Sequence, residues 1–391
     1  MRKQITLAIL LLLGLTLEAQ LSRYNLHFTL SKTDFADTIS IRYERGQVIV
    51  PVRFADNTYH FLFDTGASQT TVFDDTPIDG MKPVGVTVSH DALSVRDTVR
   101  KVSLPPMTLG SVTFSGFQAV IQRRVSQGRH SIDGILGFDL ICKGLNAKID
   151  IQRKQLIFSD RPDYFEREPG VTMKYSLDLH VPYVQVSPFG KYCEWALFDT
   201  GSRQLYVMNK KSFDKGQKKA KADISSQIEG RSIGRSAISH GGVEQRAEVV
   251  FLSLRRLQFG SFAFCDVHTR TTQGGSHLGA KVLEYGSVTF NPKRRQLRYQ
   301  PYTGQDSAVV SNKQMEKSIV PVDNRPVVGL IWEKSTPYNA GFREGDTIMM
   351  IDGKSIPTFA DYLRFRPIIN QVHIFVVRDA KGNLKKIETV W

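Results

Sequence analysis

Cysteine is scarce. Only Cys142, Cys193 and Cys265 occur in 391 residues, and no two stand at a Cys-x-x-Cys spacing. That argues against a cysteine zinc site. An odd count leaves at least one thiol free even where export permits disulfides, and the three read as small core residues. His-Glu-x-x-His, a phosphate-cradling Walker loop and a dinucleotide fingerprint are all missing, so the sequence calls for no metal and no organic cofactor. Acidic residues are the minority charge, 38 against 52 Lys and Arg, for a net charge of +14. The basic excess is dispersed, apart from Lys210-Lys211 and the 215–221 stretch, and no aromatic–basic motif accompanies it. It reads as a solvated surface with weak attraction to an anionic cell envelope, and nucleic acid is not an expected partner.

Long apolar runs are also missing beyond residue 17, so no later segment suits a bilayer span. The one run present, Ile5 to Leu17, follows Arg2 and Lys3 and precedes the small Ala19. This pattern reads as a secretory signal peptide over 1–19, with no cysteine after it to carry a lipid. The expected location is secreted, periplasmic or in the cell envelope, with no transmembrane segment once the signal is removed. A composition of 41% hydrophobic and 23% charged residues is that of a globular chain. Val, Ile, Phe and Tyr spread between Gly and Pro predict short strands and a mainly β fold.

The chain repeats itself. Phe61-Leu62-Phe63-Asp64-Thr65-Gly66-Ala67-Ser68 returns 135 residues later as Ala196-Leu197-Phe198-Asp199-Thr200-Gly201-Ser202. Before each Asp lies an alternating strand, a turn and a second strand: residues 46–64, turning at Ala55–Thr58, and residues 180–199, turning at Pro188–Lys191. Residues 107–117 match 257–267 around a Gly-Ser turn, 133–141 match 276–284, and 150–158 match 290–299. Either triplet alone is a weak motif, but five correspondences in one order predict two copies of a β-rich lobe, 41–160 and 179–302, joined by a connector at 161–178.

Two carboxylates on matched strand ends face each other across a pseudo-twofold axis. They cannot both ionise easily, so they share a proton. One then acts as base toward a water while the other protonates a carbonyl oxygen, with no covalent intermediate. A paired acid could also cleave a glycoside, but that chemistry does not need both acids on identical halves followed by Thr-Gly. Here the sequence resembles the aspartic protease family over most of 41–302, of pepsin/retropepsin-like type with both halves in one chain. The resemblance implies Asp64 and Asp199 as the catalytic pair. It implies that Thr65 and Thr200 brace the two loops, with Gly66, Gly201 and Ser202 shaping them. It also implies an apolar-apolar-Gly element behind each loop, ending at Gly137 and Gly279. Ile135-Leu136-Gly137 fits that element well; in His277-Leu278-Gly279 a histidine replaces the first apolar residue. A peptide or protein substrate follows. Residues 75–106 should hold the flap over the first Asp, yet they carry no Tyr, where gastric-type members have one. The alternative is therefore a catalytically inactive protease-like peptide-binding or adaptor protein. His90, in a turn-like stretch, and His240, its echo, read as solvent-exposed.

Gly230-Arg231-Ser232-Ile233-Gly234 satisfies Gly-x-Ser-x-Gly, but its flanks suit a β-hairpin rather than a strand–turn–helix elbow. After a polar linker at 303–312, residues 313–391 resemble a PDZ domain of the bacterial sort. Ala340-Gly341, Glu344-Gly345-Asp346 and Ile351-Asp352-Gly353 carry the likeness. The resemblance implies binding of a peptide C-terminus by strand addition along Val327, Val328, Gly329, Leu330 and Ile331. Arg325, in the preceding loop, reads equally as a carboxylate partner or as a plain surface charge.

Overall fold

The computed structural model describes residues 28–90, 96–124, 132–142, 144–190, 192–219, 224–239 and 242–391. The fold is mainly β, with strands far outnumbering a few short helices. The signal-peptide expectation over 1–19 lies outside the described residues.

The alternation in Gln47–Phe54 sends Val48, Val50 and Val52 into the core, where each is fully buried. The strand pairs antiparallel with Asn57–Phe63, placing Ile49 opposite Leu62 and Phe54 opposite Asn57. Ala55, in the turn, takes a positive φ of 49°. The second hairpin pairs Val181–Phe189 with Tyr192–Asp199, with a register shift between Val186 and Phe189. Pro188 and Phe189, expected in the turn, belong to the strand, and Gly190 makes the reversal at φ 57°. A short strand slots beside each Asp-bearing strand. Gly134–Leu136 runs parallel to Phe61–Phe63 and antiparallel to the strand at Thr71–Phe73. His277–Gly279 runs parallel to Leu197–Asp199 and antiparallel to Tyr206–Val207.

The hairpins that close the two matched stretches join each other. Asn146–Asp150 lies antiparallel to Gly286–Asn291, with Ala147 opposite Phe290 and Ile149 opposite Val288. Their outer strands are flanked in the same way, Gln155–Ser159 by Ala36–Ser40 and Gln296–Pro301 by Val171–Asp178. The stretch 161–178 therefore ends in a strand, where sequence suggested only a connector. Above this shared sheet the core is continuous. Phe290 meets Phe138 at 5.4 Å and Phe198 at 5.6 Å, both edge-on. Burying each such ring stabilises by about 1.5–3 kcal/mol, and Phe198 carries this contact onto the strand that ends in Asp199.

The C-terminal strands form their own sheet, in the order Lys317–Val322, Arg325–Ile331, Thr347–Ile351, Val372–Arg378, Leu384–Val390. It has a separate core around Phe342, Phe375 and Trp391. This unit does not hang on a free tether. Ser307–Val309, inside the expected linker, adds a parallel strand beside Ala263–Cys265. Leu330 packs with Val249 and Phe251, and Trp332 lies over Phe251 at 5.4 Å. The Arg235 N–H donates to the Gly329 carbonyl at 2.7 Å, and Arg246 makes a two-point ion pair with Glu344 at 2.7 and 2.9 Å.

Candidate active site

The two Asp-Thr-Gly turns meet. The Thr65 N–H donates to the Thr200 hydroxyl at 3.0 Å, and the Thr200 N–H donates to the Thr65 hydroxyl at 3.1 Å. Each hydroxyl in turn donates across the interface, Thr65 to the Phe198 carbonyl at 2.5 Å and Thr200 to the Phe63 carbonyl at 2.6 Å. Both threonines are fully buried, so these four bonds satisfy groups that water cannot reach. Threonine suits the position because one hydroxyl must accept and donate at once.

Each aspartate is fixed by its own turn. Asp64 Oδ1 accepts from the Gly66 N–H at 2.8 Å and the Ala67 N–H at 3.2 Å. Asp199 Oδ1 accepts from the Gly201 N–H at 2.9 Å and the Ser202 N–H at 3.2 Å. The glycines are needed for proximity. A Cβ on Gly66 would stand 2.7 Å from the Asp199 carboxyl carbon, and one on Gly201 would stand 2.5 Å from that of Asp64. Each turn therefore touches the opposite carboxylate. Gly137 and Gly279 serve a different closeness: a Cβ there would strike the Ala67 carbonyl at 2.8 Å and the Ser202 carbonyl at 2.6 Å, so a side chain would push each Asp turn off its supporting strand.

The two carboxyls hydrogen-bond each other. Burial, followed by the Asp199 charge, pushes Asp64 well above the ordinary carboxylate range. Burial also raises Asp199, opposed by the Asp64 hydrogen bond and the Gly201 and Ser202 N–H groups. Both carboxyls are raised, as expected of two buried acids that share one proton and titrate as a pair. Both residues stay partly reached by solvent. The pair is thus strongly desolvated while still in contact with solvent.

Residues beside the pair show where the halves part. Leu62 and Leu197, two positions before each Asp, share its face of the strand. In the first half Leu62 lies between Ile49 and Ile135; in the second, Leu197 lies between Tyr183 and His277. Ile49 and Leu62 are 2% and 5% exposed, whereas Tyr183, Leu197 and His277 are only half-buried. Sequence reading noticed His277 but passed over Tyr183, whose place beside Asp199 emerges only from strand register. It also passed over two positioning contacts. The Arg203 guanidinium donates to the Gln47 side chain at 2.8 Å, tying the second Asp turn to the first hairpin. Buried Asp139 takes the Thr70 N–H and hydroxyl at 2.9 and 2.8 Å, while that hydroxyl accepts from the Gly137 N–H at 3.2 Å.

The hairpin expected within 75–106 is present, Lys82–His90 pairing with Arg96–Ser103. Val84, Val86 and Val88 stand exposed along it, and neither strand contains a tyrosine. The expectations on the His90 side chain and on His240 lie outside the described residues. Ser232, of the Gly-x-Ser-x-Gly match, sits within the strand Ile228–Gly234 and not at a strand-to-helix turn. Cys193 is exposed rather than in the core, because it shares the outward face with Trp195 and Leu197. No group of His, Cys, Asp and Glu suited to a metal occurs among the described residues.

In the C-terminal sheet, Val327–Ile331 is an inner strand. It is flanked by Lys317–Val322 on one side; on the other, Val327 pairs with Thr347 and Val328 bonds to the backbone of Gly345 and Asp346. At Val327 and Val328, therefore, both edges of the strand are taken and no peptide can add there. The terminal strand of this sheet is Lys317–Val322. Arg325 is exposed at the hairpin between the two.

Residues 50–140 match the family model for aspartyl proteases. No curated protein matches the chain. Among solved structures, the aspartic proteinase from Irpex lacteus is similar at 14% identity, covering 68% of this chain and 97% of that one, with a TM-score of 0.45. Basic 7S globulin from soybean is similar at 10% identity, over 68% and 94% of the two chains, with a TM-score of 0.40. Conglutin gamma, a basic 7S globulin from lupine seeds, is similar at 11% identity, over 68% and 95%, with a TM-score of 0.42.

Proposed function

We propose that the chain is an exported aspartic endopeptidase: two duplicated lobes, each supplying one aspartate, followed by a PDZ domain over 313–391. The observation that carries this reading is the reciprocal bonding of the two Asp-Thr-Gly turns, which holds Asp64 and Asp199 within hydrogen-bonding reach of each other. The strand pairing supports starting each lobe at its leading strand, Ala36–Ser40 and Val171–Asp178.

In this mechanism ionised Asp199 takes a proton from a water as its oxygen attacks the peptide carbonyl carbon, and Asp64 gives its proton to the carbonyl oxygen. The resulting gem-diol collapses with cleavage of the C–N bond. Asp199 passes its proton to the leaving nitrogen, and a diol hydroxyl returns one to Asp64. The N–H groups of Gly66, Ala67, Gly201 and Ser202 hold the carboxylates in place throughout, so little reorganisation accompanies charge movement. In the PDZ unit, strand addition falls to the terminal strand Lys317–Val322.

A second reading, a catalytically inactive peptide-binding or adaptor protein on the same framework, is favoured by the lack of tyrosine in the Lys82–Ser103 hairpin. A mixed peptide library incubated with the purified chain between pH 3 and 7 separates the two. Cleavage is expected, with a loss of about 10²–10⁴-fold in Asp64→Asn and in Asp199→Asn separately. An intact library, or a single variant with full activity, rules out the enzyme and leaves the binding protein.

A further inference from the structure

We propose that the two halves of the cleft select different side chains, apolar beside Asp64 and carboxamide-bearing beside Asp199, with Tyr183 and His277 as the selecting groups. This rests on the endopeptidase reading and names the substrate class of that same site.

The starting point is the framework's own symmetry. Strand register makes Tyr183 the counterpart of Ile49, Leu197 of Leu62, and His277 of Ile135. All six side chains stand on the faces that carry the aspartates, and the opposite faces go to the core through Phe61 and Phe63 in one half and Ala196 and Phe198 in the other. Two of the three apolar positions in the first half are thus replaced by hydrogen-bonding groups in the second, and both replacements flank Leu197.

Their atoms are available. Tyr183 lies diagonal to Asp199 across the strand pair, a separation of about 7–8 Å between such neighbours, and the pKa of its phenol is raised by burial, then by the Asp178 charge, then by that of Asp199. No described residue hydrogen-bonds that hydroxyl, and it is not among the buried unpartnered atoms, so it faces solvent. The His277 Nδ1 lies 3.1 Å from the Gly275 carbonyl oxygen. A carbonyl only accepts, so the proton sits on Nδ1. With the proton on Nδ1, Nε2 is left as the acceptor of the neutral ring, the form that burial favours. One donor, the phenol, and one acceptor, Nε2, then flank the same position. A side-chain carboxamide offers the matching acceptor and donor. A carboxylate there would meet the charge of Asp199, and an aliphatic chain would leave both groups unpaired. Beside Asp64 the half-exposed member is Ile135, a hydrocarbon, standing over the buried Ile49 and Leu62.

The test is side-chain preference on each side of the cut bond, read from a randomised peptide library by mass spectrometry at pH 6–7. The purified chain is expected to show apolar residues on one side and Gln or Asn enriched on the other. Tyr183→Phe is expected to lower the ratio of kcat/KM for a Gln-bearing peptide to that for a Leu-bearing one about 10-fold. His277→Ile installs the residue the other half already carries, so it should fold. With Tyr183→Phe it is expected to make both sides apolar, while the preference beside Asp64 stays as it was. Cleavage with apolar preference on both sides in the unmodified chain overturns the proposal and leaves proteolysis standing; so does an unaltered Gln preference in the double variant. A library left uncut overturns the endopeptidase reading. Affinity selection of the same library on Asp64→Asn chain then decides the proposal, since retained Gln and Asn peptides support it and their absence overturns it.

Discussion

Replacing Thr65 by Val probes the contact on which the pairing of the aspartates rests. Valine keeps the shape and removes one hydroxyl. That hydroxyl donates to the Phe198 carbonyl and accepts from the Thr200 N–H, in a position with no access to water. The substitution therefore strands two buried backbone groups, at about 1–3 kcal/mol each, for a loss of about 2–6 kcal/mol. Thr65→Ser keeps both bonds and removes one methyl, a cost of about 1 kcal/mol from burial. Thr200→Val should match Thr65→Val, since its hydroxyl serves Phe63 and Thr65 in the same way. The double valine variant should lose less than the sum, because both changes break one network. The assay is urea unfolding followed by tryptophan fluorescence, with peptide cleavage measured alongside. A loss below about 1 kcal/mol in Thr65→Val, or equal losses in the Val and Ser variants, would refute the argument that these hydroxyls satisfy buried backbone at the join.

Two further outcomes follow from the carboxylate pair itself. Gly201→Ala places a methyl against the Asp64 carboxyl, so cleavage should fall at least about 10²-fold while circular dichroism stays that of the parent; undiminished turnover would contradict the close approach. Because the folded value for Asp64 is raised, its contribution to stability is full below the ordinary carboxylate value near 3.9 and is lost as pH rises through the raised value. Each pH unit separating the folded from the unfolded value costs about 1.4 kcal/mol once both states are ionised. Asp64→Asn should therefore be more stable than the parent at pH 7–8, and thermal melts showing the reverse would contradict the raised value.

The repeated Asp-Thr-Gly was legible because everything it needs is local: an apolar strand, a carboxylate, a hydroxyl and a glycine in succession. The central hairpins were legible for the same reason. What failed to show were features set by distant pairing. Ala36–Ser40 is short and mostly exposed, and its partner is Gln155–Ser159, more than a hundred residues on. Val171–Asp178 alternates Val, Met, Tyr and Leu with Thr, Lys, Ser and Asp, yet the charged stretch before it drew it into the connector. That Val327–Ile331 is an inner strand, and Lys317–Val322 a terminal one, depends on strand order, which periodicity does not encode. Cys193 was misplaced because cysteine is usually buried, whereas the strand's own alternation turns it outward with Trp195, 47% exposed.

The two halves agree wherever one restrains the other and differ wherever neither does. Thr65 and Thr200 each complete the other's hydrogen bonds, and Gly66 and Gly201 each leave room for the other's carboxylate, so a change on one side is felt at once on both. Outward residues near the aspartates carry no such mutual debt. Gln47 reaches Arg203, yet their counterparts by position, Val181 and Ser68, are a hydrocarbon and a short hydroxyl that cannot repeat that bond. Ile49 has become Tyr183 and Ile135 has become His277 by the same freedom. A peptide bond presents an acyl side and an amine side, which differ, while the proton shuttle requires two carboxyls held alike. For the proposed endopeptidase, two matched halves with unequal walls meet both requirements, because the restraints that equalise the aspartates run through the backbone at the join and do not reach the side chains beside them.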